Sequence, residues 1–348
     1  MIELEDFEAC YELGWTDGLP VIPPTLERVE RMLGELSHRR DEVIAVLPPA
    51  GGMATLEKIA ANAVMAGCRP EYLPVVEAAV RAVADKGFWL DDMVTAVDPM
   101  AALVLVSGPI ARALKMNGDA GALGSGSRPN ATIGRALNLC LRNLAGARPI
   151  RHSDERALDG STIGHPGKYS YCYTENVVLS PWPELPTERG FDADDSTVTL
   201  YAADVPVCVV DMGRTEPELI LRTIAESAAI PGTTNIFFRQ DLWLVMAPEH
   251  ANLIADAGWT KADAQQFLFE HASISRERLT NRGLFGFMDN VMKPSWQDDK
   301  DSDNPISIVD APERVLITVA GAPYGGYTAL CFGFGEIVIN KIDTNRGS

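Results

Sequence analysis

The densest group of chemically versatile side chains lies in one irregular part of the chain. His165, Lys168, Cys172 and Glu175 fall within eleven positions and offer a base, a cation, a nucleophile and a carboxylate. We therefore predict acid/base work by His165, a cationic role for Lys168 and, for covalent or redox chemistry, a reactive thiol at Cys172. Because tyrosines flank Cys172, the alternative is a half-buried strand in which the cysteine is a small apolar side chain.

A second acid/base candidate is the pair Glu249 and His250, which directly follows an apolar run. Open α/β sheets bind ligands at strand ends, so this position favours a functional pair. The alternative is structural, because Glu is favoured electrostatically in the first turn of a helix and His can pack there.

Cys68 is the other candidate thiol. It lies between Gly67 and Arg69, just before a helix that Pro70 begins. A neighbouring guanidinium and a helix N-terminus both lower the pKa of a thiol, which predicts reactivity. Since cysteine is among the most often buried residues, an inert core thiol is the alternative.

Metal and cofactor sites have little support in the sequence. A metal, if bound, would use His152, His165 and Glu175, but their spacing matches no common site, so we predict none. The chain has no GxxxxGK[ST], GxSxG or HExxH motif, and no GxGxxG placed between a strand and a helix. A standard nucleotide fold is therefore disfavoured, and the cofactor stays open.

Two glycine-rich loops predict anion binding. Gly51-Gly52 precedes a predicted helix at 54–66, and Gly124–Ser127 precedes another that Asn130 would cap. Glycine lets a backbone approach a ligand, and a helix N-terminus offers unpaired N–H donors. The alternative is tight turns in an α/β fold. The predicted substrate-binding residues are Gly51, Gly52, Thr55, Gly126, Arg128, Asn130 and Arg135.

The elements that must position these residues alternate between strands and helices. We predict an α/β fold of two α/β lobes with mixed or mostly parallel sheets, at 1–145 and 196–342, joined by an irregular active-site or lid segment at 146–195. Leu103–Leu114 and Leu242–Leu253 share a strand, small residue, proline and helix pattern. Related halves would explain this likeness, as would proline's preference for the first helical position.

Composition and charge limit the partners. The 348 residues include 30 Lys and Arg against 48 Asp and Glu, a net charge of −18 that repels nucleic acid and anionic membranes. A small anion can still bind through local cations and helix N-termini. No apolar run spans a membrane, residues 1–10 lack a signal-peptide pattern, and six cysteines show no CxxC spacing. We therefore predict a cytoplasmic protein with reduced thiols.

Several phrases resemble a poorly characterised bacterial α/β family. They are Gly14–Val21, Ala54–Cys68, Pro129–Ala136, Gly167–Tyr169 and Pro248–Ala251. The resemblance spans most of the chain. That family is associated with small proteins that bear a UGSC motif and are similar to a subunit of glycine-reductase-type selenoenzymes. The resemblance implies a two-component enzyme. Because this chain has no selenocysteine and no Gly-Ser-Cys motif, the redox thiol would then lie on the partner.

The residues together favour an enzyme that acts on a small carboxylate- or phosphate-bearing metabolite and makes or cleaves a carbon–heteroatom bond. A lyase, a hydrolase and a thiol-dependent oxidoreductase all fit this description. Two alternatives stay open: a non-catalytic subunit or small-molecule-binding protein, and a metal-dependent hydrolase or lyase. The substrate and the oligomeric state are also open, a homo-oligomer included.

Overall fold

The computed structural model describes residues 4–150, 154–213, 215–280, 282–286 and 304–343. These residues form helices together with parallel and antiparallel strands, which confirms the predicted α/β class. The chain divides into two compact units. Unit 1 takes in the described residues of Met1–Thr174, Arg189–Asp204 and Ile337–Ser348, and unit 2 those of Glu175–Glu188 and Val205–Glu336. The segment predicted at 146–195 is thus shared between the units.

The helices and strands are numbered in chain order. The helices are α1 (Leu4–Glu12), α2 (Leu26–Leu33), α3 (Leu56–Ala66), α4 (Leu73–Val83), α5 (Leu90–Thr95), α6 (Pro109–Ala113), α7 (Arg128–Cys140), α8 (Leu185–Glu188), α9 (Pro217–Ala228), α10 (Thr234–Phe238), α11 (Pro248–Asp256), α12 (Lys261–His271) and α13 (Arg276–Leu279). The strands are β1 (Val43–Leu47), β2 (Gly52–Thr55), β3 (Ala101–Ser107), β4 (Cys172–Tyr173), β5 (Thr197–Ala203), β6 (Val207–Val210), β7 (Leu242–Met246), β8 (Ser273–Ile274), β9 (Ile306–Ser307), β10 (Val315–Val319), β11 (Tyr327–Cys331) and β12 (Gly333–Lys341). Within the described residues, no helix has the length and apolar character that crossing a membrane requires.

Unit 1 is built on a mixed sheet with the strand order β12-β5-β3-β4. Every residue of β3 is buried, because the apolar run is covered on both faces. It pairs antiparallel with β5 and parallel with β4. Helix α4 packs on β5 and α3 packs on α7, and the buried small residues of α3 permit this close contact.

Unit 2 is built on a second mixed sheet with the order β10-β7-β11-β6. Strand β7 pairs parallel with β10 and antiparallel with β11. Trp243 is fully buried in β7, and its indole N–H donates to the Thr318 hydroxyl at 3.0 Å, so this large side chain leaves no unsatisfied donor in the core.

The two sheets share one arrangement of their central strands. In unit 1, the central strand β3 pairs parallel with β4 and antiparallel with β5. In unit 2, the central strand β7 pairs parallel with β10 and antiparallel with β11. In both sheets the parallel partner precedes the antiparallel partner along the chain. The sequence likeness of Leu103–Leu114 to Leu242–Leu253 falls on the corresponding pairs β3–α6 and β7–α11.

Candidate functional site

A cavity of about 800 Å³ in unit 1 is the candidate site. Its wall is formed by α5, the start of β3, the C-terminal end of α7 and residues 159–169. Lys168 and His165 from the chemically rich segment both line it. The structure therefore brings these two predicted site residues to one cavity.

On this wall, Lys168 forms an ion pair with Asp159. The ammonium group donates to a carboxylate oxygen of Asp159 at 2.8 Å, and the Ser161 N–H donates to the other oxygen at 3.0 Å. Although burial opposes ionisation, the charge of Lys168 and the hydrogen bonds from Lys168 and Ser161 lower the pKa of Asp159. Asp159 is buried and ionised, whereas a quarter of the Lys168 side chain is exposed.

A second carboxylate of the cavity, Asp17, is paired in the same way. Arg135 donates to its two oxygens at 2.8 Å each and also to the carbonyl oxygens of Leu19 and Pro20. This bidentate geometry fixes the turn that carries Asp17. Because the Arg135 guanidinium is hydrogen-bonded to residues 17–20, the arrangement does not support Arg135 as the cation that binds a substrate.

The charged side chains that line the cavity balance in number. Among the described residues that line it, the carboxylates are Asp17 and Asp159 and the cations are Lys168 and Arg142. Both carboxylates are ion-paired, so neither presents an uncompensated negative charge to a ligand. In a protein of net charge −18, the absence of uncompensated negative charge on this described wall removes one obstacle to anion binding.

His165 is held by hydrogen bonds on both ring nitrogens. Nδ1 accepts the Gly167 N–H at 3.0 Å, and Nε2 lies 3.2 Å from the Ala203 carbonyl oxygen, to which it donates. This pattern assigns the neutral ring with its proton on Nε2. Burial lowers the pKa of His165, which also favours the neutral form. The ring thus orients the turn that carries Lys168, and the geometry does not support an acid/base role in this state.

The two candidate thiols are buried. The Cys68 thiol donates to the Thr132 carbonyl oxygen at 3.2 Å, and burial raises its pKa to about 12, so the predicted lowering of this pKa is wrong. Removal from water outweighs the nearby Arg128 charge. Burial also raises the pKa of Cys172, which lies in β4. The alternative of a small apolar side chain in a strand therefore describes Cys172, although this strand is fully buried and not half-buried. The structure supports neither thiol as a nucleophile.

The first glycine loop is a hairpin turn and does not begin a helix. Gly51 lies in the turn between the antiparallel strands β1 and β2, Gly52 is the first residue of β2, and α3 begins only at Leu56. A Cβ at Gly52 would overlap the Leu144 carbonyl oxygen, so this glycine permits a close backbone approach. Thr55 caps α3 by accepting the Lys58 N–H. The predicted helix at 54–66 is confirmed from Leu56 onward, but β2 lies between the glycine loop and this helix, so the prediction that the loop leads directly into the helix is wrong.

The second glycine loop precedes a helix as predicted, but its polar side chains bind the protein itself. Arg128 donates twice to the Gly67 carbonyl oxygen, at 3.1 and 2.9 Å. Asn130 lies inside the first turn of α7, and its buried amide bonds Asn117 and Ala122, so its predicted role as the helix cap is wrong. Gly126 has φ +111°, which glycine adopts readily. None of these three residues lines the cavity.

The Glu249–His250 pair belongs to unit 2 and is engaged within the fold. His250 is fully buried, with Nδ1 3.0 Å from the Thr328 hydroxyl and Nε2 2.8 Å from the Asp211 carbonyl oxygen. Glu249 accepts the Gly325 N–H. These contacts match the structural alternative for the pair and do not support acid/base chemistry there.

The predicted ligand set for an optional metal is not assembled by the described residues. Both carboxylate oxygens of Glu175 accept backbone N–H groups, from Leu185 at 2.8 Å and Val319 at 3.1 Å. His152 lies outside the described residues, and His165 and Glu175 belong to different units. Within the part of the chain that the structure describes, no three His, Cys, Asp or Glu side chains form a cluster that could hold a metal.

Sequence reasoning missed Asp17 and Asp159, the two carboxylates of the cavity. A signal was present for Asp17, which lies inside the phrase Gly14–Val21. Asp159 carries no such mark, because a lone aspartate in an irregular segment looks solvated until its partner is known.

Comparison of the chain with protein-family models, with curated proteins and with solved structures found no match. The resemblance to the UGSC-associated family therefore stays a prediction.

Proposed function

We propose that the chain is an enzyme that binds a small carboxylate- or phosphate-bearing metabolite in the unit 1 cavity and makes or cleaves a carbon–heteroatom bond. One observation carries the proposal: Lys168, whose side chain is a quarter exposed, lies on a wall whose two carboxylates are both ion-paired.

Lys168 would hold the anion. An ammonium group has three donors, and its hydrogen bond to Asp159 uses one of them. Asp159 and the His165 turn fix the ammonium position, so little side-chain entropy is lost when a ligand binds. A charge-assisted hydrogen bond is worth about 1.5–3 kcal/mol, which corresponds to roughly a tenfold to hundredfold effect on affinity.

The binding test compares Lys168→Gln with a matched variant. Titration of wild-type protein with inorganic phosphate and with acetate, followed by NMR, should show saturable binding that Lys168→Gln weakens at least about tenfold. Lys341→Gln is the control, because Lys341 forms a similar ion pair with Asp195 at 2.7 Å, also in unit 1, but does not line this cavity. Equal losses in the two variants, or none in either, would contradict the proposal.

The catalytic part needs a separate measurement. Incubation of the protein with a metabolite extract, followed by mass spectrometry, should show one small anion consumed by the wild type and spared by Lys168→Gln. Binding without any turnover would favour the alternative of a small-molecule-binding protein.

For a reaction that requires a thiol, the proposal includes a second protein that supplies it. Cys68 and Cys172 are buried and their pKa values are raised, which favours a redox thiol supplied by a second protein such as a UGSC-type partner. The six cysteines are free thiols, in keeping with the reducing cytoplasm, where we place the reaction. Turnover by the isolated chain of a substrate that needs a thiol would remove the partner from the proposal.

A further inference from the structure

The candidate cavity is much larger than an anionic head group. Cavities of about 300–1,000 Å³ enclose ligands of drug size, and this one measures about 800 Å³. A phosphate or carboxylate group at Lys168 would fill a small part of that space. The other side chains of the cavity wall therefore indicate the chemistry of the remaining part of the ligand.

The mouth of the cavity is apolar and exposed. Ile163, Ile150 and Tyr169 all line it, and their exposed fractions are 90%, 64% and 47%. Exposed apolar side chains that are grouped at one cavity mark binding sites, whereas single exposed ones are ordinary. Deeper in the wall, Met93 and Met100 add buried apolar surface.

We infer that the ligand is an amphipathic anion, with a carboxylate or phosphate at Lys168 and an aliphatic or aromatic part against the apolar mouth. This inference rests on the proposed anion site and adds the class of its ligand. The apolar mouth and the cation are continuous parts of one wall, so one molecule can contact both.

A second copy of the chain is the rival occupant of the mouth. Stable protein interfaces bury about 800 Å² on each partner, which is more than three side chains supply. The mouth also belongs to a cavity of about 800 Å³, a space that a small ligand fills better than a protein surface does. These two arguments favour the small molecule.

A series of straight-chain carboxylates tests the inference. Acetate, butyrate and hexanoate should bind the wild type with increasing affinity, by about two- to fourfold for each methylene that becomes buried. Ile163→Ser should reduce hexanoate affinity severalfold and leave acetate affinity unchanged, while Lys168→Gln should weaken both. Val178→Ser is the control, because this valine is 86% exposed and does not line the cavity.

The possible outcomes separate the two proposals. Failure of every carboxylate to bind the folded wild type would overturn the proposed anion site and this inference with it. Acetate binding without any gain for hexanoate would overturn the amphipathic ligand alone. Ile163→Ser could instead change the particle mass of the protein while the affinity gain from acetate to hexanoate stays the same. That result would assign the mouth to a second copy of the chain and would also overturn the amphipathic ligand.

Discussion

At the scale of single residues, the partners of a side chain decide its chemistry more than its type does. His165 and Lys168 lie three positions apart and line the same cavity, yet both ring nitrogens of His165 are used by backbone groups while Lys168 keeps donors for a ligand. Asp159 makes the difference, since it is buried and its charge holds the ammonium group in place.

Gly52 gives a residue-scale prediction that separates packing from ligand binding. Gly52→Ala should lower the free energy of unfolding by about 1–3 kcal/mol, because its Cβ would overlap the Leu144 carbonyl oxygen. Gly232→Ala is the matched control: no atom lies near its would-be Cβ, so it should be neutral or slightly stabilising. Urea denaturation measures both. Unchanged stability of Gly52→Ala with weakened acetate binding would restore the anion-loop interpretation of this turn.

At the scale of elements, a buried carboxylate is one of the groups that attach the segment 175–188 to the rest of unit 2. Glu175 accepts N–H groups from Leu185 on its own segment and from Val319 at the end of β10. Asn176 adds a backbone N–H bond to the Val319 carbonyl oxygen at 2.7 Å. Lys261 reaches the same segment, donating to the Pro183 carbonyl oxygen and pairing with Glu188.

Glu175 predicts a pH dependence of stability. Burial raises its pKa from 4.5 to about 7, although the charge of Lys261 and the two N–H bonds oppose the rise, and the neighbouring Glu184 adds to it. Because the folded state holds this proton more tightly than the unfolded state, its contribution is complete below about pH 4.5 and is lost as the pH rises through 7. The loss amounts to at most about 3 kcal/mol.

The measurement compares Glu175→Gln with the wild type by urea denaturation at pH 5 and pH 8. Glutamine resembles the protonated acid, so the variant should lose this part of the pH dependence. Glu218→Gln changes an exposed glutamate of α9 and should retain it. An equal decline in all three proteins between the two pH values would show that other groups cause it.

The sequence predicts a helix or strand well when its hydrophobic pattern is long. Strand β3 and helix α3 were accessible because long apolar runs and helical spacing reflect burial directly. Strand β2 has four residues and β4 has two, and both are defined by the strands they pair with, which a local pattern does not encode. The same limit hid the ion pairs of Asp17 and Asp159, whose partners lie elsewhere in the chain.

At the scale of the whole molecule, the chain exchanges its edge strands between the two sheets. Strand β6 follows β5 along the chain but pairs with β11, and β12 follows β11 but lies beside β5. The unit 1 sheet is therefore completed by β12, which directly follows β11 of the unit 2 sheet. The unit 2 sheet is completed by β6, which directly follows β5 of the unit 1 sheet. From Ile337 onward, β12, the last strand of the described residues, belongs to the unit that holds the candidate cavity.

This exchange predicts that a change near the C-terminal end of the described chain will disturb the cavity. Val338→Asp places a charge in β12 at a side chain that is 8% exposed and should cost about 3 kcal/mol or more. Hydrogen exchange should then show reduced protection in β5 and in α4, which packs on β5. Val210→Asp is the control, since that valine is 49% exposed on β6, and it should leave β5 protected.

The same variant should also weaken anion binding, because the Ala203 carbonyl oxygen at the end of β5 accepts from the His165 ring that orients the Lys168 turn. Acetate affinity measured by NMR should fall in Val338→Asp and remain at the wild-type level in Val210→Asp. A folded Val338→Asp protein with a protected β5 and unchanged affinity would contradict this link. The perturbation would then be confined to β12, and the cavity wall of α5, β3, α7 and residues 159–169 would keep its shape without that strand.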